Sequence, residues 1–213
     1  MTLPLGTKAV NLGWGSTFAP GWINIDNSPN ARLSKIPGAR PFLRRIGVLS
    51  EAHYRVNWPK DVIIRDLRKP LPFADGSIDY VYASHLLEHL SRHEARQLLH
   101  ELLRVLKPGG IVRLLVPDLS IEARDYLDAL AANPHDDTAA PAFLERMRLS
   151  RGGRNPHLWM YDAPSFRSLL KDVGFTDVEV CAHQQGKVPN IDILDNRPDV
   201  SLRMEGARPG HMQ

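Results

Sequence analysis

The sequence predicts an α/β protein: a doubly wound, mostly parallel sheet in three αβα layers, closed by a C-terminal antiparallel strand pair. Three observations lead there. Short apolar stretches of strand length alternate with amphipathic stretches of helical spacing, the pattern of βαβ units. Residues 111–116 are apolar except for Arg113, as suits an inner parallel strand covered on both faces. Several of the strand-like stretches end in glycine or a carboxylate, and ligands on such sheets bind beyond the carboxyl ends of the strands.

Residues 8–12 form a short apolar run that enters a glycine turn, the mark of a buried strand. Residues 22–26 alternate apolar and polar side chains and read as a second strand. Residues 62–65 are a third and residues 78–83 a fourth, with the turn Ala74-Asp75-Gly76-Ser77 between them. Ser91 and Glu94 then form a capping box. Ala95, Leu98, Leu99, Leu102 and Leu106 repeat at helical spacing until Lys107-Pro108-Gly109-Gly110 stops the helix. Residues 111–116 are the fifth strand. Helices are expected over 121–130, 141–149 and 164–173, the last stopped at Gly174, with a polar loop over 133–140 and a flexible link over 151–156. Residues 177–182 and 201–205 alternate like strands of a two-sided sheet. The 18 residues joining them, 183–200, form a connection long enough to suggest a lid or binding loop.

A chain of 213 residues with 43% hydrophobic and 24% charged side chains suits one compact domain. The expected organisation is a single domain over 1–213, with a basic insert at about 31–60 and a variable helical and loop region at about 119–163. Cys181 is the one cysteine, so no internal disulfide forms and no metal site of several thiolates is possible; no metal is expected. The first ten residues lack a basic stretch followed by an apolar run, so no signal peptide is expected. The most apolar run is far too short to span a bilayer, and a soluble, cytoplasmic protein is expected. The net charge is only +3, but residues 31–60 hold seven basic residues against Glu51 alone, a surplus of six. Arg146, Arg148, Arg151 and Arg154 form a second basic cluster. Such runs are commonly solvated faces; the other reading is an anionic partner.

Four strand ends lie where a ligand would sit: Leu12-Gly13, Asp26, Arg65-Asp66 and Ala83-Ser84. The turn Asn11-Leu12-Gly13-Trp14-Gly15 lets a backbone approach a ligand closely. Asp26 has the chemistry to accept hydrogen bonds from both hydroxyls of a ribose. Each feature also has a plainer role, as a tight turn or a cap, and it is their coincidence at strand ends that points to a nucleoside.

These residues resemble a known family. Asn11-Leu12-Gly13-Trp14-Gly15 followed by Pro20-Gly21-Trp22-Ile23-Asn24-Ile25-Asp26 is similar to a compact, type 11 subgroup of the class I S-adenosylmethionine-dependent methyltransferases, which have a Rossmann-like fold. The stretch from Asp66-Leu67-Arg68-Lys69-Pro70-Leu71-Pro72-Phe73 through Ala83-Ser84-His85-Leu86-Leu87-Glu88-His89-Leu90 to Leu106-Lys107-Pro108-Gly109-Gly110 carries the more specific part of that likeness. The resemblance implies S-adenosyl-L-methionine as cofactor. Gly13 and Gly15 would line its methionine part, with Asn11, Leu12 and Trp14 also among the cofactor-binding residues; Asp26 would hold the ribose, and Asp66 with Leu67 would contact the adenine. Ser84 and His85 would lie beside the methionine or the transferring methyl. Two departures stand out. Asn11 replaces the family's acidic residue and the third glycine is absent. Only ten residues separate Gly15 from Asp26, too few for a full helix and a strand, so the first helix must shrink to a turn.

Transfer of an activated methyl needs mainly alignment of nucleophile, methyl and sulfur. A protonated acceptor also needs a base, and His85 and His89 are the candidates. His157, Trp159 and Tyr161 would wall a pocket for a small or glycan-like acceptor, with the basic insert beside it supplying cations for an anionic one. Nucleic acid is not an expected partner, since no recognised binding module is visible. Two rivals remain. One is a non-catalytic cofactor-binding or scaffold domain of the same fold. The other, more remote, is a zinc peptidase built on His85-x-x-Glu88-His89, whose histidines would share one helical face.

Overall fold

The computed structural model describes residues 3–13, 17–56, 58, 61–135, 137–148, 156–196 and 201–210. Seven strands form one sheet: β1 (Ala9–Leu12), β2 (Ile23–Asp26), β3 (Ile63–Ile64), β4 (Ile78–Ser84), β5 (Leu106–Pro117), β6 (Thr176–Val180) and β7 (Ser201–Ala207). Their order is β3-β2-β1-β4-β5-β7-β6. Strands β1 to β5 pair in parallel, and β7 runs antiparallel between β5 and β6. The expected parallel sheet with its antiparallel end is present.

The helices are α1 (Pro29–Ser34), α2 (Ala39–Arg45), α3 (Glu51–Arg55), α4 (Arg92–Val105), α5 (Leu119–Ala132), α6 (Ala139–Arg148), α7 (Ala163–Val173) and α8 (Ile191–Leu194). Helix α4 starts at the expected capping box, in which Ser91 and Glu94 satisfy each other's backbone N–H. Its residues Ala95, Leu98, Leu99, Leu102 and Val105 are buried against Val10, Leu12, Val81, Val112 and Leu114 of the sheet, together with Phe166 and Leu170 of α7. Each such leucine contributes about 1.5–3 kcal/mol through burial.

The opposite face is built differently. With no room for a helix between β1 and β2, Ala9, Tyr82 and Leu115 are covered by Ala19 and Trp22 and by Val188 and Leu194 from the far end of the chain. Hydrogen bonds join the two pieces: Trp22 Nε1 donates to Asn190 Oδ1 at 3.1 Å, and Asn196 Nδ2 to Thr17 Oγ1 at 2.8 Å. The described part of the expected lid, residues 183–196, is therefore the missing layer of the sheet.

Beneath that layer lies a buried ion network. Arg113 of β5 is fully buried and donates to Asp195 Oδ2 at 2.7 Å, to its cross-strand partner Glu205 at 3.0 Å, and to the carbonyls of Gln185 and Ala182. Arg203 donates to both Asp195 oxygens. Burial opposes the Arg113 charge, but the bonds to Asp195 and Glu205 hold its pKa above the ordinary guanidinium value. Gly186 crosses directly above, where a Cβ would fall 2.1 Å from Glu205 Oε1. A methyl group there would displace the network.

Other boundaries shift for local reasons. Leu106 is fully buried and pairs with Ile78, so β5 begins directly after α4 and Lys107-Pro108-Gly109-Gly110 forms an irregularity within the strand. The basic insert contains α1, α2 and α3 and packs at the β3 edge through Ala31, Trp58 and Val62. Three of its arginines are engaged locally: Arg44 and Arg55 pair with Glu51, and Arg40 donates to the carbonyls of Tyr54 and Val56. Residues 151–155, with Arg151 and Arg154, lie outside the described residues.

Candidate active site

The sheet order places the carboxyl ends of β3, β2, β1 and β4 side by side. Leu12 lies opposite both Ile25 and Ala83, and Asp26 opposite Ile64. Successive connections leave β1 in opposite directions, to β2 on one side and β4 on the other, which makes this a topological switch point. Gly13, Asp26, Asp66 and Ser84 all stand at this end.

Gly13 continues from β1 with φ +62°, its N–H bonded to the Ile25 carbonyl at 3.0 Å. A Cβ there would meet Leu86 Cδ1 at 3.3 Å, so the turn presents bare backbone at the switch point. Trp14 and Gly15 lie outside the described residues. Asn11 and Leu12 are both buried: Leu12 joins the core, while the Asn11 amide donates to the Thr17 carbonyl and to Asn24 Oδ1. Asn11 thus shapes the turn from behind. Asp26 is buried at the end of β2 and accepts from the Ser28 N–H through Oδ1 at 2.6 Å.

Asp66 is held more tightly than the family resemblance suggests. Arg68 donates to it through Nε, an η nitrogen and the backbone N–H, at 2.9–3.0 Å. That pairing lowers its pKa to about 2. A ligand amino group would have to share a carboxylate that already has a cation. Leu67 packs into the core, leaving its main chain for any ligand.

The exit of β4 is unlike the other three. His85 has φ +52°, a left-handed backbone that costs a non-glycine residue roughly 1 kcal/mol or more. Three contacts keep it there: its N–H bonds the Leu115 carbonyl at 2.9 Å, Nε2 meets Ser201 Oγ at 2.8 Å, and Nδ1 lies 3.3 Å from Glu88 Oε1. Leu87–His89 form a single 3-10 turn. His85 and His89 therefore do not share a helical face, and the peptidase reading of His85-x-x-Glu88-His89 fails on backbone conformation.

Glu88 is completely buried, and among the described residues neither carboxylate oxygen has a hydrogen-bond partner. Its carbonyl accepts from Leu158 N–H at 2.7 Å and Trp159 N–H at 3.2 Å, which draws residues 157–159 onto the turn. His157 is thereby set beside His89, ring centroids 5.2 Å apart, with a buried Nδ1 that also lacks a partner. Burial lowers the His157 pKa, so the ring is neutral at pH 7. The Tyr161 hydroxyl is buried and unpartnered as well; burial, then the charge of Glu88, pushes its pKa up to about 12.

The residues expected to wall an acceptor pocket separate. Trp159 and Tyr161 line a cavity of about 510 Å³ with Arg92, His93 and Arg96 of α4 and Leu119 of α5, whereas His157 turns toward Glu88 and His89. The Arg92 guanidinium stacks 4.6 Å over the Trp159 ring. Because α4 and α7 offer their amino-terminal turns and Leu119 follows β5, this cavity opens at the ligand end of the sheet. The basic insert, at the β3 edge, is on the other side of the switch point. Ser201 and Arg92 are candidates that spacing alone does not expose, whereas the His85-x-x-Glu88-His89 motif names Glu88 in a different role.

A family model described as "Methyltransferase domain" matches residues 46–114. A protein of Mycobacterium tuberculosis named a probable S-adenosylmethionine-dependent methyltransferase is 26% identical over 151 residues, 71% of this chain and 45% of that protein. An uncharacterized methyltransferase of Synechocystis is 33% identical over 61 residues, 29% of each chain. This chain therefore spans less than half the length of the curated relatives it matches. Among solved structures, a SAM-dependent methyltransferase of Thermotoga maritima superposes with a TM-score of 0.53 at 15% identity, covering 97% of this chain and 84% of that one. A Haemonchus contortus phosphoethanolamine N-methyltransferase bound to S-adenosyl-L-methionine gives 0.52 at 14%, covering 97% and 50%. Residues 46–114 thus resemble a methyltransferase domain, and the seven-stranded sheet with its switch point has the fold of S-adenosylmethionine-dependent methyltransferases.

Proposed function

We propose that the chain moves a methyl group from S-adenosyl-L-methionine to an oxygen or nitrogen of a small, anionic or glycan-like acceptor. The observation that carries this reading is the alignment of Gly13, Asp26, Asp66 and Ser84 on four adjacent strand ends. Gly13 with the rest of its turn would face the methionine part, Asp26 the ribose, and Asp66 with the Leu67 main chain the adenine. The cofactor supplies a methyl already activated on a sulfonium, so this chain's work is to bind, align and exclude water. Trp159 and Tyr161 suit the flat face of a sugar or aromatic acceptor, and Arg92 and Arg96 suit an anionic group at the cavity mouth. His85 is the base we assign: its Nδ1 lies 3.3 Å from Glu88 Oε1, and Nε2 exchanges the Ser201 hydroxyl for the acceptor's proton.

Calorimetric titration with S-adenosylmethionine and its demethylated product tests the cofactor half. Asp26→Ala is expected to weaken both by about tenfold or more, the worth of a charge-assisted hydrogen bond, with the circular dichroism spectrum unchanged. Undiminished affinity in that variant would refute the assignment. One observation favours a second reading, a non-catalytic domain of the same fold: Arg68 already occupies Asp66. Cofactor binding without turnover on any anionic sugar or aromatic acceptor would select it.

A further inference from the structure

We infer that Glu88, His89 and His157 form a binding site for one divalent transition metal of the zinc class. The sequence expects no metal apart from the remote peptidase rival on His85, Glu88 and His89; His157 is distant along the chain, and only the fold brings it to the turn after β4.

The donor atoms of these three residues lie within 4.8 Å of one another. Glu88 Oε1 and His89 Nε2 are 3.9 Å apart. Zinc holds nitrogen and carboxylate oxygen at about 2.0–2.2 Å, so tetrahedral donors stand roughly 3.3–3.5 Å from each other. Closing the gap takes about 1 Å of side-chain movement. Two imidazoles and one carboxylate are also the donor set of catalytic zinc sites, which keep a fourth position open.

The polar accounting points the same way. A buried carboxylate without a hydrogen bond is expensive, and buried polar atoms without partners are few in folded proteins. Among the described residues both Glu88 oxygens and His157 Nδ1 lack a partner, on two of the three side chains that cluster here. A divalent cation would satisfy all three at once. The surroundings are arranged as a supporting shell. His89 Nδ1 lies 3.3 Å from the Pro156 carbonyl; donating there leaves the Nε2 lone pair free on the side facing Glu88. His85 Nδ1 approaches the Glu88 carboxylate from its other flank. The backbone bonds from residues 158 and 159 to the Glu88 carbonyl fix His157 in place without using its side chain.

The site does not depend on the methyl-transfer reading, and the experiment omits the cofactor. The full chain is stripped with a chelator, then titrated with Zn²⁺ by calorimetry and with Co²⁺ by visible absorption. One metal per chain is expected, with the absorption of a low-coordinate Co²⁺ site. His157→Ala and Glu88→Gln should each weaken binding by about tenfold or more. Cofactor titration and circular dichroism of the same variants report folding. If Glu88→Gln does not fold, His157→Ala carries the test, because residue 157 lies outside every helix and strand. No stoichiometric metal in the wild-type chain overturns the proposal, and so does binding that both variants leave intact.

Discussion

Two buried charge clusters sit on this sheet, and they are built on opposite plans. Around Arg113, four hydrogen bonds leave only Nε unpaired, and two arginines balance two carboxylates. Around Glu88, a fully buried carboxylate has no hydrogen-bond partner among the described residues, beside an imidazole nitrogen and a phenol that also lack one there. The first cluster ties the 183–196 segment down as a missing structural layer. The second contains a strained histidine at the ligand end of the sheet. Satisfied buried charge marks architecture; unsatisfied buried polarity marks a place prepared for something else.

The sharpest way to break that contrast is a matched pair of substitutions. Arg113→Met leaves Asp195 and Glu205 buried without their shared cation. Removing one partner of such a network costs about 3–5 kcal/mol, a large part of a typical total stability of about 5–15 kcal/mol. Urea denaturation should show a steep loss, or no soluble fold. Glu88→Gln, by contrast, deletes no existing hydrogen bond and keeps the shape, so its stability should stay within about 1 kcal/mol of wild type. Equal losses from the two would mean that Glu88 is as structural as Arg113.

Each cluster also has a buried tyrosine whose pKa is raised to about 12, in both cases first by burial. The folded state therefore holds both phenol protons more tightly than the unfolded chain. Their contribution is intact below pH 10 and is lost as pH rises from 10 through about 12. Two units amount to about 2.7 kcal/mol for each group at most. Tyr82→Phe and Tyr161→Phe should each flatten the alkaline fall in stability by up to that amount. At neutral pH they should differ. Tyr82 donates to the Leu194 carbonyl at 2.8 Å, and its loss should cost about 1 kcal/mol, whereas the Tyr161 hydroxyl has no partner to lose. Denaturant titrations at pH 7 and pH 11 separate the two effects.

The same contrast explains what the sequence disclosed. The face under α4 and α7 was legible because its physics is local: a capping box, leucines at helical spacing and alternating strand residues that pack where period and phase put them. The strand ends were legible for the same reason, each being a local turn. The second face was not. Residues 183–196 have a loop's composition, and they become a layer only because the short β1–β2 connection leaves Tyr82 and Leu115 uncovered. Proximity in the chain groups His157 with Trp159 and Tyr161, but the Glu88 carbonyl turns it away from the cavity. Arg113 interrupted an otherwise apolar strand, and its partners Asp195 and Glu205 lie far downstream, beyond the reach of any spacing argument.

Asp66 offers the finest test, because it is a satisfied carboxylate at the site where a ligand is proposed. Arg68 lowers its pKa to about 2, so the pair contributes stability above pH 3.8 that is lost as pH falls toward 2. Arg68 is exposed and Asp66 about a quarter exposed, so solvent screens the pair and the stability effect is small. Arg68→Ala should therefore leave stability at pH 7 nearly unchanged and reduce only the loss seen between pH 4 and pH 2. Its effect on the cofactor is more informative. If Arg68 competes with the adenine amino group for Asp66, removing it should leave S-adenosylmethionine affinity equal or higher. If Arg68 instead positions Asp66 for the ligand, affinity should fall. A fall would mean that a fully satisfied carboxylate can still belong to a binding site, and hydrogen-bond satisfaction alone would no longer separate architecture from function in this chain.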